Sequence, residues 1–275
     1  MFYLIPMGFS LVISFYEWDT IQDPRFLGLN NYISMFTATN SLVPKAMTVT
    51  LTYTLITVPL ITLVPLLLAT LLNSNTRFIS VFRTAFYIPS IVPAVANAAL
   101  WMFLCNPMFG LFNAVLRLLG LPPQNWIYDS STVIPTLSFM ALWGSGNIVV
   151  IYLAGLQGIS RQLYESVEVD GGNFLHKFLH ITIPLMSPIV FYNMVMAIVG
   201  SMQTFTQAYV MTEGGPNNAS LFYVLLLYRT AFMNQQMGYA CAMAWVLFII
   251  VAALTYFCFK SSSLWVFHEG GQDNA

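Results

Sequence analysis

Residues 162–185 of the chain read QLYESVEVDGGNFLHKFLHITIPL. This segment carries Glu165, Glu168 and Asp170, three of only ten acidic residues in a chain of 275. Gly171 and Gly172 interrupt a run of apolar residues at helical spacing, namely Leu163, Val167, Phe174, Phe178 and Ile181. The pattern predicts two short amphipathic helices joined by a turn, because glycine tolerates the backbone angles of a tight turn. Such a helix suits either a groove on a partner protein or the surface of a membrane.

The composition around this segment is that of an integral membrane protein. Hydrophobic residues make up 58% of the chain and charged residues 7%, with a mean hydropathy of +0.74. Soluble domains have roughly 45–50% apolar and about 25% charged residues. The net charge of -1 provides no basic surface for nucleic acid. Three widely separated cysteines in apolar sequence indicate neither a disulfide framework nor a metal site.

Apolar blocks on both sides of the segment are long enough to cross a bilayer, which takes about 20 residues. Five such blocks occur, at Met47–Leu72, Val81–Leu104, Thr132–Leu156, Met186–Met211 and Gly238–Phe259. A shorter sixth block, Phe2–Phe15, lacks the basic start and the Ala-x-Ala site of a signal peptide, so we interpret it as a first spanning helix. The sequence therefore predicts an all-α membrane protein, a polytopic bundle of six transmembrane helices.

Charge does not decide on which side of the membrane residues 162–185 lie. If they are cytoplasmic, five lysine and arginine residues lie inside and four lie outside, which is too even a split for the positive-inside rule. The ten acidic residues divide evenly as well. The topology therefore needs another argument.

The segment resembles the EAA motif of permease subunits of binding-protein-dependent ABC importers in three runs, Glu165-Ser166-Val167, Asp170-Gly171 and Ile183-Pro184-Leu185. The most similar form is that of the carbohydrate branch, approximately ELYEAAxIDGA followed by FxxITLPLLxP. The chain departs from it by Ser166 and Val167 in place of two alanines and by Gly172 in place of a third. Similarity to the family recurs in order along the chain, at residues 26–32 (FLGLNNY), 153–157 (LAGLQ) and 212–216 (TEGGP).

The resemblance implies that about residues 159–184 form a cytoplasmic coupling-helix loop that docks into an ATPase. Glu165 would make the charged contact and Gly171 would make the turn, and the coupling set would be completed by Ser166, Val167, Asp170 and Pro184. This topology turns three loops outward, toward an extracytoplasmic solute-binding protein: Tyr16–Ala46, Cys105–Ser131 and Thr212–Met237.

The family also implies the rest of the assembly. The chain would be a single permease domain over residues 1–275, a multi-pass protein embedded in the lipid of a prokaryotic inner membrane. It would pair with a second homologous permease subunit and a cytoplasmic ABC ATPase dimer, and it would work by alternating access. ATP and Mg would bind to the ATPase, so this chain would hold no cofactor.

Polar residues inside the predicted spans are the candidates for a substrate path. They are Ser201, Gln203, Thr204 and Gln207 in one span and Trp143 and Asn147 in another. We expect them to face the bundle interior, because unpaired amides are unfavourable in lipid. Gln203 and Gln207 are four residues apart and would project from one helix face; amides near an indole ring suit a neutral polyhydroxylated ligand. Ordinary hydrogen bonding between helices is the alternative for each residue.

The chain contains no G-x-x-x-x-G-K-[ST] motif and no catalytic constellation, so it is predicted not to be an enzyme. An ion-coupled secondary transporter would place acidic residues at mid-membrane depth, and none of the ten lies there in the predicted spans. The resemblance favours import of a sugar or oligosaccharide, with glycerol-3-phosphate or another polyol as the alternative. A phosphate would require cationic groups, and no lysine or arginine lies centrally in these spans, which favours a neutral sugar.

Overall fold

The computed structural model describes residues 2–74 and 77–267, and helices dominate them. The elements in chain order are α1 (Leu4–Ile13), β1 (Tyr16–Glu17), β2 (Arg25–Phe26), α2 (Asn30–Thr37), α3 (Val43–Leu72), α4 (Ile79–Ile91), α5 (Ala94–Leu104), α6 (Leu111–Leu118), α7 (Val133–Trp143), α8 (Gly146–Gly158), α9 (Arg161–Val169), α10 (Phe174–Lys177), α11 (Ile183–Met202), α12 (Tyr223–Tyr228) and α13 (Met237–Ser262). A 3-10 turn forms at Trp126–Tyr128, and π-helical segments form at Phe178–Thr182, Ala208–Thr212 and Arg229–Met233.

Three helices are long and apolar enough to cross a membrane: α3, α13 and the continuous helix Phe174–Met202, which joins α10 to α11. Two bent pairs, α4 with α5 and α7 with α8, bring the candidate spans to five if each pair crosses as one. α1 has 10 residues and is shorter than a usual span. The described residues therefore form a helical membrane protein with three to five candidate spans, where the sequence predicted six.

The predicted span Val81–Leu104 is not one straight helix, because α4 and α5 meet at an angle of 103°. The break lies at Pro93, and the residue before a proline is driven from helical to extended backbone. Val92 accordingly has φ −66° and ψ 128°. The predicted span Thr132–Leu156 also divides, with α7 and α8 meeting at 48°. In contrast, α3 continues through two prolines, Pro59 and Pro65.

The chain divides into two compact units. The first contains the residues up to Leu55, Pro93–Leu137 and Gly200–Leu254. Its core surrounds the fully buried Tyr223. The backbone N–H of Tyr223 donates to Thr50 Oγ1 at 2.9 Å, and its hydroxyl donates to the Met243 carbonyl at 3.0 Å. One side chain thus joins α3, α12 and α13.

The second unit contains Ile56–Val92, Ser138–Val199 and the residues from Thr255 onward. Its core is an apolar cluster from α3, α8 and α11, made of Leu66, Ala69, Leu72, Val149, Tyr152, Leu153, Leu156 and Met186. α4 and α8 approach so closely at Gly146 that a side chain there would collide with the backbone carbonyl of Phe86. Small residues at such crossings let membrane helices pack backbone to backbone.

Candidate coupling loop and substrate path

α9 forms the first half of the candidate coupling loop, and none of its residues is buried. The chain enters α9 from Ser160, which is extended (φ −60°, ψ 131°), and Glu165 lies exposed in the middle of the helix. Among the described residues, the Glu165 carboxylate has no hydrogen-bond or ion-pair partner, whereas Glu168 pairs with Lys177. Of these two acids, only Glu165 is therefore available to pair with a group outside the chain.

The glycine turn after α9 lies where the sequence predicted it. Gly171 has φ +75°, in the left-handed region that glycine adopts without strain. The N–H of Gly171 donates to the Glu168 carbonyl at 3.0 Å, and the N–H of Gly172 donates to the Val167 carbonyl at 2.8 Å. This pair of bonds is the Schellman arrangement, which satisfies the last carbonyls of a helix. Asp170 lies at the C-terminal cap of α9, immediately before the left-handed residue.

Val167 and Gly172 pack against each other across this turn. A Cβ atom added to Gly172 would collide with Val167 Cγ1 and would lie 2.9 Å from the Val167 carbonyl oxygen. These are two of the three positions at which the chain departs from the alanines of the motif. Val167 is larger than the alanine of the motif, and Gly172, which packs against it, has no side chain where the motif has alanine. Ser166, the third departure, donates its hydroxyl to the Leu163 carbonyl at 2.9 Å within α9.

The second predicted helix of the segment is not separate, and this corrects the sequence prediction. Asn173 caps it, with its side-chain oxygen accepting from the His176 N–H at 2.9 Å, and the helix then continues to Met202. Pro184 lacks the N–H that an α-helix needs at that position, and the turn before it, Phe178–Thr182, is π-helical. The Tyr164 hydroxyl lies 3.1 Å from Thr182 Oγ1, so α9 is held against this turn.

Two histidines on this helix, His176 and His180, stack with their ring centroids 4.6 Å apart. A pair at this spacing can contribute two ligands to a metal site, which needs at least one more. Among the described residues, no three histidine, cysteine, aspartate or glutamate side chains form such a group.

The candidate substrate residues near the end of α11 lie at a break in the backbone. α11 ends at Met202, and the N–H groups of Gln203 and Thr204 donate to the carbonyls of Gly200 and Ser201, both at 3.3 Å, in a tight turn. Helical structure resumes just before the π-helical segment Ala208–Thr212. The prediction that Gln203 and Gln207 share one helix face is therefore wrong, because no continuous helix joins them.

The four side chains also differ in their exposure within this chain. Ser201 and Thr204 are buried, Gln207 is half-buried and Gln203 is exposed. The remaining two candidates, Trp143 and Asn147, belong to the second unit and are exposed. Trp143 lines a cavity of about 390 Å³ whose walls are mostly apolar, formed by residues such as Phe86, Phe139 and Val149.

A cluster of aromatic rings follows the break and was missed by sequence reasoning. The ring of Tyr228 lies 5.1 Å from Phe205, 5.5 Å from Tyr209 and 5.2 Å from Phe232, measured between centroids. Phe205 and Tyr209 are themselves stacked at 5.3 Å. Tyr209 and Phe232 are exposed. The signal in the sequence was two aromatic pairs, each spaced four residues apart, which share a helix face.

A polar cavity of about 810 Å³ lies in the first unit, between the chain after α1 and the residues that precede α13. Glu17, Asp19 and Asp23 line it together with Trp18. The backbone N–H groups of Gln22 and Ile21 donate to Asp19 Oδ1 at 2.8 and 3.0 Å, and they hold the pKa of this carboxyl below its ordinary value. Asp19 is therefore ionised at neutral pH. The family resemblance implies that the loops Tyr16–Ala46 and Thr212–Met237 lie outside, and no cavity was predicted there.

Residues 30–261 match the family described as "Binding-protein-dependent transport system inner membrane component". The chain is 38% identical over 276 residues to the probable ABC transporter permease protein YesP of Bacillus subtilis (strain 168), an alignment that covers 99% of this chain and 89% of YesP. It is 32% identical over 266 residues to the arabinooligosaccharides transport system permease protein AraP of the same organism, covering 95% of this chain and 84% of AraP.

The fold is shared with a solved structure. The crystal structure of a bacterial alginate ABC transporter, in complex with an alginate pentasaccharide-bound periplasmic protein, contains a chain that superposes with a TM-score of 0.82. The match covers 95% of this chain and 88% of the other at 20% identity, so it concerns the fold alone. The family match over residues 30–261 and the 38% identity to YesP show that the chain belongs to the inner-membrane components of binding-protein-dependent transport systems, as a non-catalytic ABC permease subunit.

Proposed function

We propose that this chain is one of two permease subunits in an ATP-driven ABC importer for a sugar or oligosaccharide. The observation that carries the proposal is the geometry of α9, an exposed helix with an unpaired Glu165, closed by a glycine turn and fixed to the helix Phe174–Met202. A helix of this kind fits a groove on a soluble partner, which in an ABC importer is the ATPase. The residues that would meet the ATPase are those of the coupling set, Glu165, Ser166, Val167, Asp170, Gly171 and Pro184.

The proposed topology has six spans. α1 would be the first, each bent pair would cross as one span, and α3, Phe174–Met202 and α13 would supply the others. The loop that contains α9 would then be cytoplasmic, in contact with an ATPase dimer that holds ATP and Mg. The cavity beside Asp19 would face outward, where its Trp18 and its acidic side chains could contact the solute-binding protein.

The substrate class is supported by relatives and by the chemistry of the break after α11. AraP is named for arabinooligosaccharides, and the transporter of similar fold is one for alginate. Ser201, Gln203, Thr204 and Gln207 are uncharged donors and acceptors, and the aromatic cluster around Tyr228 follows them in the chain. Aromatic faces and neutral polar groups suit a sugar better than glycerol-3-phosphate, whose phosphate would require cations.

The function is tested by transport in vesicles that contain both permeases and the ATPase. Uptake of a labelled arabinooligosaccharide should require ATP and a cognate binding protein, and it should continue when ion gradients are collapsed. Glu165→Ala should weaken binding of the ATPase about tenfold or more, because it removes the carboxylate that meets the partner's charge.

The matched control is Glu168→Ala, which removes the other glutamate of α9, an acid already paired with Lys177 of α10. This variant should bind the ATPase within about threefold of wild type, the range expected for an exposed ion pair. Wild-type uptake and assembly by Glu165→Ala would contradict the assignment of the coupling loop. Uptake that follows a proton or sodium gradient without ATP would contradict the importer class.

A further inference from the structure

A basic cavity lies behind α9, within the second unit. Its volume is about 570 Å³, and its walls come from the ends of α3 and α8, from the beginnings of α4, α9 and α10, and from the π-helical turn Phe178–Thr182. Arg83, Arg161 and Lys177 line it, which is three of the nine lysine and arginine residues in the chain. The described residues that line the cavity include no acid. In a chain with so few charges, three basic side chains around one cavity without an acid in its described lining indicate a site for an anion.

An acid pairs with the positive charge of Lys177, whereas the charge of Arg83 has no such partner among the described residues. The Lys177 ammonium pairs with Glu168, which lies outside the lining. Arg83 donates from Nε at 3.2 Å and from Nη2 at 2.8 Å to the carbonyl of Leu72, the last residue of α3. These bonds fix the guanidinium in the wall, but their acceptor is a neutral carbonyl. Arg83 therefore keeps its full charge and its other N–H donors.

Arg161 is the least explained of the three. It is the first residue of α9, where the positive end of the helix dipole disfavours a cation. No hydrogen bond or ion pair joins its guanidinium to any of the described residues, and Arg161 is an exposed residue that lines the cavity. Two uncompensated guanidinium groups thus share one concave site with the hydroxyl of Tyr164 and the amide of Asn73.

We propose that this cavity binds a phosphate group, either in the headgroup of an anionic phospholipid or in a soluble phosphorylated compound. Guanidinium groups present parallel N–H donors that match phosphate oxygens, and hydroxyl and amide groups add further donors. The volume lies within the range of small-molecule sites and leaves room for more than the phosphate itself. Basic pockets between membrane helices on the cytoplasmic side are suited to lipid headgroups.

A bound phosphate would neutralise the cations and fasten the beginning of α9 to the end of α3 and the beginning of α4. The site would thereby set the position of the helix that carries Glu165. The inference goes beyond the proposed function and takes from it only the cytoplasmic side of this loop.

The test uses the assembled importer, purified in a neutral detergent, and records its thermal unfolding. One arm adds phosphatidylglycerol in mixed micelles and compares it with phosphatidylcholine. The other adds inorganic phosphate and compares it with chloride at equal ionic strength. The first arm detects a headgroup site and the second detects a site for free phosphate, and stabilisation of the wild type in either arm is the expected result.

Arg161→Gln should raise the concentration needed for half-maximal stabilisation about tenfold or more, the value of a charge-assisted bidentate contact. It should assemble normally, because it removes a cation from the positive end of a helix. Lys177→Gln is a second variant with the same expected direction, since it leaves Glu168 unpaired near the cavity. The control is Arg77→Gln, an exposed arginine in the α3–α4 connection that does not line the cavity.

Stabilisation by phosphatidylglycerol alone assigns a lipid headgroup, and stabilisation by inorganic phosphate assigns a soluble ligand. The proposal is overturned if neither phosphatidylglycerol nor inorganic phosphate stabilises the wild type. It is also overturned if Arg77→Gln raises the concentration for half-maximal stabilisation as much as Arg161→Gln does, because this would indicate general charge attraction. Sugar uptake is measured on the same purified importer after reconstitution into vesicles. Phosphate-dependent stability without sugar uptake would reject the proposed function and leave this site standing.

Discussion

The contact between Val167 and Gly172 predicts a rescue that can be measured. Gly172→Ala places a methyl group against Val167 Cγ1 and 2.9 Å from the Val167 carbonyl oxygen, inside the turn that ends α9. The backbone there is held by the bond from the Gly172 N–H to the same carbonyl, at 2.8 Å. The new methyl must therefore move either the Val167 side chain or the turn itself. Val167→Ala, made in the same chain, removes the side chain that causes the larger clash.

The expected size follows from these contacts. Overpacking of a well-packed site costs about 1–3 kcal/mol, and the exposed turn can relax, so about 1–2 kcal/mol is expected for Gly172→Ala alone. If α9 docks into the ATPase, this corresponds to a loss of affinity of about 5- to 30-fold. In the double variant the contacts that remain are those with the Val167 carbonyl oxygen at 2.9 Å and with His176 Cβ at 3.5 Å, and we expect the affinity to return to within about threefold of Val167→Ala.

The assay is the dissociation constant of the purified permease pair for the ATPase dimer, measured for wild type, both single variants and the double variant. Gly158→Ala is the control, because a Cβ at Gly158 has no heavy atom within 4 Å. The predicted role of the Val167–Gly172 contact is contradicted if Gly172→Ala binds the ATPase as wild type does, or if the double variant binds no better than Gly172→Ala. The second result would mean that the turn, and not Val167, excludes the side chain.

Three further predictions concern packing and the substrate path. Tyr223→Phe leaves the buried Met243 carbonyl without its 3.0 Å donor and should lower the midpoint of thermal unfolding, at a cost of about 1–3 kcal/mol. Gly146→Ala should reduce the yield of folded protein in the membrane more than Gly8→Ala does, since the methyl would collide with the Phe86 carbonyl whereas a Cβ at Gly8 has no heavy atom within 4 Å. Tyr228→Ala removes the ring that contacts three others and should raise the sugar concentration for half-maximal uptake several-fold, with ATPase binding unchanged; unchanged uptake would remove the aromatic cluster from the path.

The sequence located most apolar blocks well and failed where a single residue breaks a helix. Composition and block length are summed over many residues, so α3 and α13 were predicted to within a few residues of their observed bounds. The break at Pro93 depends on one proline in an apolar context, where Pro59 and Pro65 cause no break at all. Proline in a membrane helix can be accommodated by its neighbours, and those neighbours are set by tertiary packing.

The coupling loop was more predictable than the substrate path for a related reason. The turn at Gly171 is encoded locally, by a glycine placed after an amphipathic run, and it forms as predicted. The prediction that Gln203 and Gln207 share a helix face assumed that one helix contains both residues. The observed helix ends at Met202, one residue before Gln203. The aromatic cluster joins residues from two segments, 205–209 and 228–232, which no spacing rule brings together.

The continuous helix Phe174–Met202 joins the coupling loop to the candidate substrate residues that follow α11. It begins at the cap residue Asn173, one residue past the glycine turn, and it ends immediately before Gln203. A continuous helix of 29 residues rises about 1.5 Å per residue, enough to cross the apolar core of a bilayer. Its contact with α9 is made at the π-helical turn, through Tyr164 and Thr182. On the proposed function, a displacement of α9 would therefore be transmitted along this helix to the break at Gln203. Within the described helix, the regular hydrogen bonding is interrupted near its start, at the π-helical turn before Pro184 and at Pro188.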